Sequence, residues 1–296
     1  MDVRHFGMDT ITLAGSLDAK LRAVKAAGFS QIMLSARDIA EYAAGPDAAV
    51  AAVRESGLRV TGFQVLRDFE GLDGHLRDYK TDIAKAMLQM CHQVGSKVLL
   101  VCSSTSAHAT DKRERLVQDL QALAMLAVPL NIRIAYEALS WGRFVNELPQ
   151  AWEIVVAANR SNLGIGIDSF HILATQTALD EVELLDPDRI FLVQLSDFMW
   201  QETRSPEERI TTARHFRVFP GEGVHSENVY DLVRRLESLG YRGDYSFEVF
   251  NDDYVQLPHH VVTRRALRSA QGMSGMLNRR GVPLTRTAAA HQARYR

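Results

Sequence analysis

Cysteine is nearly absent: Cys91 and Cys102 are the two in 296 residues. One falls in a predicted helix and the other in a predicted strand, with no metal-type spacing. Their scarcity argues against a disulfide framework and points to a reducing compartment. Long hydrophobic runs are missing too. None approaches the length that crosses a bilayer, and the N-terminal MDVRHFGMDT lacks the apolar core of a secretion signal. The expectation is a soluble, cytoplasmic protein with no membrane partner. Neither sign of charge is in surplus. Lys plus Arg is 34 against 36 Asp plus Glu, a net charge of −2, so nucleic acid is not an expected partner. No G-x-G-x-x-G follows the first predicted strand and no G-x-x-x-x-G-K-[ST] occurs, which argues against the nucleotide-binding folds. No repeat and no low-complexity block stands out.

What is present is ample material for a core, 46% hydrophobic residues, arranged as strand and helix in alternation. Short apolar or β-branched runs occur at 3–6, 31–35, 58–66, 97–103, 132–138, 163–168, 190–196 and 244–250. Several are continuously apolar instead of alternating, as in a parallel strand covered on both faces. Helical stretches lie between them. One opens at Ser16, in N-cap position, and closes at Gly28; another runs from Leu76 to Gly95. The sixth, near 178–187, is short. Eight strands alternating with helices in this length predict an α/β fold, a (β/α)8 TIM barrel forming a single domain over 1–279. An open doubly wound sheet is the alternative. The basic stretch 280–296 has no core face and reads as a tail or the start of a linker.

A barrel of this kind places its chemistry at the C-terminal ends of the strands. The fifth run closes on Glu137 and the sixth on Asp168. The seventh carries Gln194 and the eighth Glu248. Each has a plain structural reading on its own: Asp168 as a helix cap, Glu248 as a partner of Arg242. Together, three carboxylates at one rim would repel each other and lose solvation. A divalent cation resolves this. All four are hard oxygen donors, which favours Mn2+ or Mg2+, with Co2+ or Zn2+ as substitutes.

The order Glu137, Asp168-x-x-His171, Gln194-x-x-Asp197, Glu248 resembles the xylose-isomerase-like barrel superfamily of sugar epimerases, keto-sugar isomerases and inosose dehydratases. Many of its members have His where this chain has Gln194. The stretches FQVLRDFEG (63–71), YEALSWGRFVN (136–146), RHFRVFPGEG (214–223) and SFEVFNDD (246–253) extend the likeness. Together they are similar to the bacterial metal-dependent 3-dehydroshikimate dehydratases, over about residues 4–275. The resemblance implies conversion of 3-dehydroshikimate to protocatechuate and water in quinate and shikimate catabolism. A proton beside a ring ketone would be removed, an enolate stabilised by metal and the β-hydroxyl lost. His171 is then the expected base, on the grounds that an imidazole titrates near working pH. Arg67, Arg217 and Arg214 are candidates to hold the substrate carboxylate. Glu222 is expected to support the site from outside the ligand set or to act in proton transfer. For any one of the arginines the plain alternative is a surface ion pair, such as Arg67 with Asp68 or Glu70. A sugar or keto-acid isomerase or epimerase on the same barrel is the competing function. A metal-dependent endonuclease is disfavoured by the lack of clustered His ligands and of basic surplus. A non-catalytic binding module is disfavoured by the intact ligand positions. The expected partner is a small-molecule substrate, and the sequence leaves a homo-oligomer open.

Overall fold

Runs such as Val98–Cys102, Leu163–Asp168 and Ile190–Leu195 are buried along their whole length in the computed structural model, which describes residues 2–279. Residues apolar on both faces need cover on both faces, and a closed parallel barrel ringed by helices supplies it. The strands are β1 (Phe6–Asp9), β2 (Gln31–Ser35), β3 (Arg59–Arg67), β4 (Val98–Cys102), β5 (Arg133–Glu137), β6 (Leu163–Asp168), β7 (Ile190–Leu195) and β8 (Tyr245–Phe247). They close in the order β1-β8-β7-β6-β5-β4-β3-β2, every pairing parallel. The predicted (β/α)8 architecture is therefore the observed one. The predicted tail, 280–296, lies outside the described residues.

Two boundaries differ from expectation. The first strand lies at Phe6–Asp9, not at 3–6. The Asp2 carboxylate accepts the Arg4 N–H at 2.8 Å and caps a 3-10 turn over Val3–His5, so the chain enters the barrel late. The short sixth helix is a pair of 3-10 turns, Leu179–Leu184 and Pro187–Arg189. A true helical turn, Ser169–Ala174, directly follows β6.

Side chains alternate along a strand, and in a closed barrel one row faces the axis. Leu100, Ala135 and Leu192 belong to one buried cluster inside the barrel; the larger cluster fills the layer between strands and helices. Two residues further up the same rows stand Cys102, Glu137 and Gln194. Gly166 and Ser246 lie below Asp168 and Glu248 in the same way. One parity thus fills the interior with apolar groups and delivers polar groups to the mouth.

Glycines on β6 make room for that filling. A methyl group on Gly164 would run into the Arg189 carbonyl oxygen and lie 2.6 Å from the Phe191 ring. Neither the backbone nor a packed ring can retreat cheaply. Gly164→Ala is expected to destabilise the fold by about 1–3 kcal/mol. Urea unfolding measures this, and an unchanged midpoint would contradict the packing described.

Candidate active site

A cavity of about 300 Å3 opens at the C-terminal mouth, with Cys102, Glu137, His171, Arg217 and Glu248 among its walls. Glu137, Asp168, Gln194 and Glu248 are all buried, each within one residue of the end of its strand. The Asp168 carboxylate has two tasks. Oδ1 accepts the Phe170 N–H at 2.8 Å and caps the helix that follows, while Oδ2 accepts from Arg217 Nη1 at 2.6 Å. The plain reading, a helix cap, applies, and the second oxygen is left for the site. Glu248 Oε2 accepts from the same Nη1 at 2.9 Å. The Cys102 thiol donates to Glu137 Oε2, sulfur to oxygen 3.1 Å. Glu137 Oε1 and Gln194 Oε1 have no hydrogen-bond partner among the described residues.

Sequence reasoning missed Asp9. It ends β1 fully buried, and its Oδ2 accepts the amide N–H groups of Gln64 and, at 3.4 Å, of Gln194. That contact turns the Gln194 carbonyl oxygen away from Asp9. The signal was available, since FGMD is an apolar run closing on a carboxylate like those before Glu137 and Asp168. Cys102 and Ser140 were also missed.

Three carboxylates, Glu137, Asp168 and Glu248, therefore act on one buried guanidinium, and a fourth, Asp9, adds its charge to Glu248. Burial, with Asp168 and Glu248 adding repulsion, holds the Glu137 carboxyl well above its ordinary range. Burial and Glu248 do the same to Asp9. Burial lifts Glu248 to about 7, against the pull of Arg217. Arg217 stays charged because Asp168 and Glu248 more than offset its own desolvation. Excess negative charge, two buried oxygens without donors, and ligand atoms of Glu137, Asp168 and His171 within 4.8 Å of one another all fit a hard divalent cation.

His171 is buried behind the rim of Trp141, ring centroids 5.0 Å apart. Burial depresses its pKa to about 3, so the ring is neutral at working pH instead of titrating there. Ser140 addresses Nδ1 twice, by its backbone N–H at 3.1 Å and its hydroxyl at 3.0 Å. Nε2 lies 3.6 Å from Asp168 Oδ2, too far for a hydrogen bond.

The arginines separate. Arg217 was a candidate clamp for a substrate carboxylate, but its Nη1 is taken up by Asp168 and Glu248 and its Nε donates to the Ala213 carbonyl at 2.9 Å. Arg67 and Arg214 line the cavity, are exposed, and make no ion pair among the described residues. The neighbours proposed for Arg67 are otherwise engaged: Asp68 accepts from Thr105, and Glu70 from Ser104 and Tyr136. Arg242, the alternative partner of Glu248, instead lies 3.9 Å from Glu237. Glu222 stands apart from the mouth. It lies outside the cavity lining, with Arg265 Nε at 3.0 Å and the Tyr254 hydroxyl as its partners, because the turn after Pro220 faces the C-terminal helix.

A parallel eightfold barrel with buried carboxylates converging at its mouth defines a metal-dependent class of TIM barrel. The chain belongs to the xylose isomerase-like TIM barrel family, whose model matches residues 21–273. It is 34% identical over 260 residues to a 3-dehydroshikimate dehydratase of Pseudomonas putida, covering 88% of this chain and 40% of that protein. A 3-dehydroshikimate dehydratase of Neurospora crassa is 24% identical, with 86% and 88% covered. An inosose isomerase of Bacillus licheniformis is 27% identical over 62% of this chain and 64% of its own. The chain thus spans about two fifths of the length of the Pseudomonas relative. Among solved structures, a xylose isomerase-like TIM barrel/4-hydroxyphenylpyruvate dioxygenase fusion protein superposes with a TM-score of 0.86 at 32% identity. That match covers 96% of this chain and 45% of the other. The IOLI protein with a bound zinc atom gives 0.79 at 20% identity, covering 92% and 98%.

The buried charge generates a pH dependence. Glu248 has a folded pKa above its ordinary 4.5, so the folded state binds the extra proton and stability falls as pH rises towards about 7. Glu137 and Asp9, raised in the same way, act in the same direction. His171, depressed from 6.5 to about 3, acts oppositely, with stability lost as pH falls from 6.5. Above pH 6.5 only the carboxylates contribute among these groups. EDTA-treated protein is expected to lose urea resistance from pH 6.5 upward, and added Mg2+ or Mn2+ to flatten that slope. A slope indifferent to metal would contradict the charge imbalance.

Proposed function

We propose that the chain catalyses dehydration of 3-dehydroshikimate to protocatechuate, in quinate and shikimate catabolism. The observation that carries this is the buried group of Glu137, Asp168 and His171, ligand atoms within 4.8 Å of one another, with Gln194 and Glu248 buried on the next two strands, in a mouth that Arg67 and Arg214 also line. The similarity to curated 3-dehydroshikimate dehydratases supports it. Those four side chains would hold a divalent cation, Mn2+ or Mg2+ with Co2+ as a substitute. Such an ion supplies positive charge against a developing enolate oxygen. A protein with a similar fold has a zinc atom bound.

The remaining tasks belong to the chain. Arg67 and Arg214 hold the substrate carboxylate at the mouth and so orient the ring. Neutral His171 receives the proton from the carbon beside the ketone. The Ser140 backbone N–H donates to Nδ1 here, which puts the neutral ring's proton on Nε2; to act as the base the ring takes the other tautomer, Nδ1–H donating to the Ser140 hydroxyl and Nε2 free, and Asp168 favours the imidazolium that forms. The abstracted proton and the departing hydroxide together make the water released. Trp141, edge-on to His171, shields the ring from solvent. Arg217 keeps Asp168 and Glu248 in register by binding both. The inosose isomerase relatives favour a keto-sugar isomerase as the second reading. That chemistry needs a group to return a proton at a different carbon, and among the described residues His171 is the one imidazole lining the cavity.

Metal-stripped protein given 3-dehydroshikimate is expected to form protocatechuate, followed by its ultraviolet absorbance, only after Mn2+ or Mg2+ is restored. Glu137→Ala and His171→Ala, both folded by circular dichroism, are expected to lose about 10²–10⁴-fold in kcat. Arg67→Ala is expected to act mainly on KM. Folded, metal-loaded protein that forms no protocatechuate but isomerises inososes would replace this reading with the second.

A further inference from the structure

The inward rows that carry the site also run down to the opposite, N-terminal end of the barrel, and there the interior is not filled. A cavity of about 600 Å3, larger than the one at the mouth, reaches in from the base. Its floor is apolar, formed by buried Val98, Leu192 and Phe191. Buried Ser246 also lines it, and the Ser246 hydroxyl has no hydrogen-bond partner among the described residues. The backbone of Ser246 is paired on both sides, opposite Gly7 and Gln194. The hydroxyl alone is left over, and buried hydroxyls are normally satisfied.

The rim is cationic. Arg59, Lys97, Arg133 and Arg242 line the cavity against two carboxylates, Asp188 and Asp244. Arg59 is consumed by Asp244, which accepts from Nη1 and Nη2 at 2.6 and 2.8 Å. Arg242 donates to the carbonyls of Glu237 and Tyr241. Lys97 and Arg133 are adjacent, since the Arg133 N–H donates to the Lys97 carbonyl at 2.9 Å. Both are exposed, and neither makes an ion pair among the described residues. The Arg133 guanidinium lies over the Phe191 ring, 4.6 Å from its centroid, and so is held at the cavity edge.

We propose that this basal cavity binds a small organic molecule bearing a carboxylate or a phosphate. The oxyanion lies between the Lys97 ammonium and the Arg133 guanidinium, which presents a planar pair of donors. The carbon body lies on Val98, Leu192 and Phe191, and a polar group reaches the Ser246 hydroxyl. The volume suits a metabolite-sized ligand. Asp188 restricts the site to anions that sit on the Lys97 and Arg133 side. This site is separate from the mouth and does not depend on the reaction proposed there.

The test is calorimetric titration of the full chain at constant ionic strength, with inorganic phosphate and benzoate as separate probes. Saturable binding of at least one is expected. Benzoate alone would mark the ligand as a carboxylate with an apolar body; phosphate alone would mark a phosphate group. Lys97→Gln/Arg133→Gln is expected to weaken binding by about tenfold or more. Ser246→Ala is expected to weaken it less. Arg67→Ala/Arg214→Ala, which empties the mouth of its free cations, is expected to leave it unchanged. Thermal midpoints confirm that each variant is folded. Because benzoate also suits Arg67 and Arg214 at the mouth, the deciding titrations are made in the Arg67→Ala/Arg214→Ala variant: absence of saturable binding of both probes there, or binding there that survives added Lys97→Gln/Arg133→Gln, would overturn the proposal.

Discussion

Closure of the barrel forces one row of each strand onto a shared axis, and the rest of the molecule follows from what those rows contain. Apolar residues at mid-height, Leu100, Ala135 and Leu192, pack against one another and fix the register. With the register fixed, Glu137, Gln194 and Glu248 have nowhere to point but into the mouth. Burial there is imposed by the scaffold and not chosen by the side chains, which is why carboxyl groups are found in so costly a place.

That burial concentrates negative charge round a single cation. Arg217 links Asp168 to Glu248 through one nitrogen, lying against the Phe170 ring at 4.4 Å. One guanidinium cannot neutralise four carboxylates. Protons or a metal must supply the difference, and the pKa values, raised by burial first and by carboxylate repulsion next, favour protons where no metal is bound. The same burial keeps His171 neutral against the pull of Asp168, so charge balance and acid–base chemistry at this mouth are one problem.

The strands were legible because parallel strands covered on both faces leave continuous apolar runs, and Glu137, Asp168, Gln194 and Glu248 because each interrupts or closes such a run. Asp9 follows the same rule. It was overlooked because the first strand, displaced by the turn that Asp2 caps, was placed three residues early. Other features depend on contacts between distant segments and leave no local trace. Glu222 turns away from the mouth because Arg265 and Tyr254, far along the chain, hold it. Arg217 moves from clamp to brace because two strands bring carboxylates to it. Ser140 meets His171 only once β5 and β6 are side by side.

Asp168 divides its two oxygens between the helix it caps and the site it builds. Most substitutions at this position would therefore loosen local structure and remove a site oxygen together. A library screened only for soluble, folded protein would enrich for Asp168 even if no substrate were ever present. At that position, retention under a stability screen is no evidence of catalytic selection; Glu137, whose carboxylate caps no helix, gives the cleaner readout.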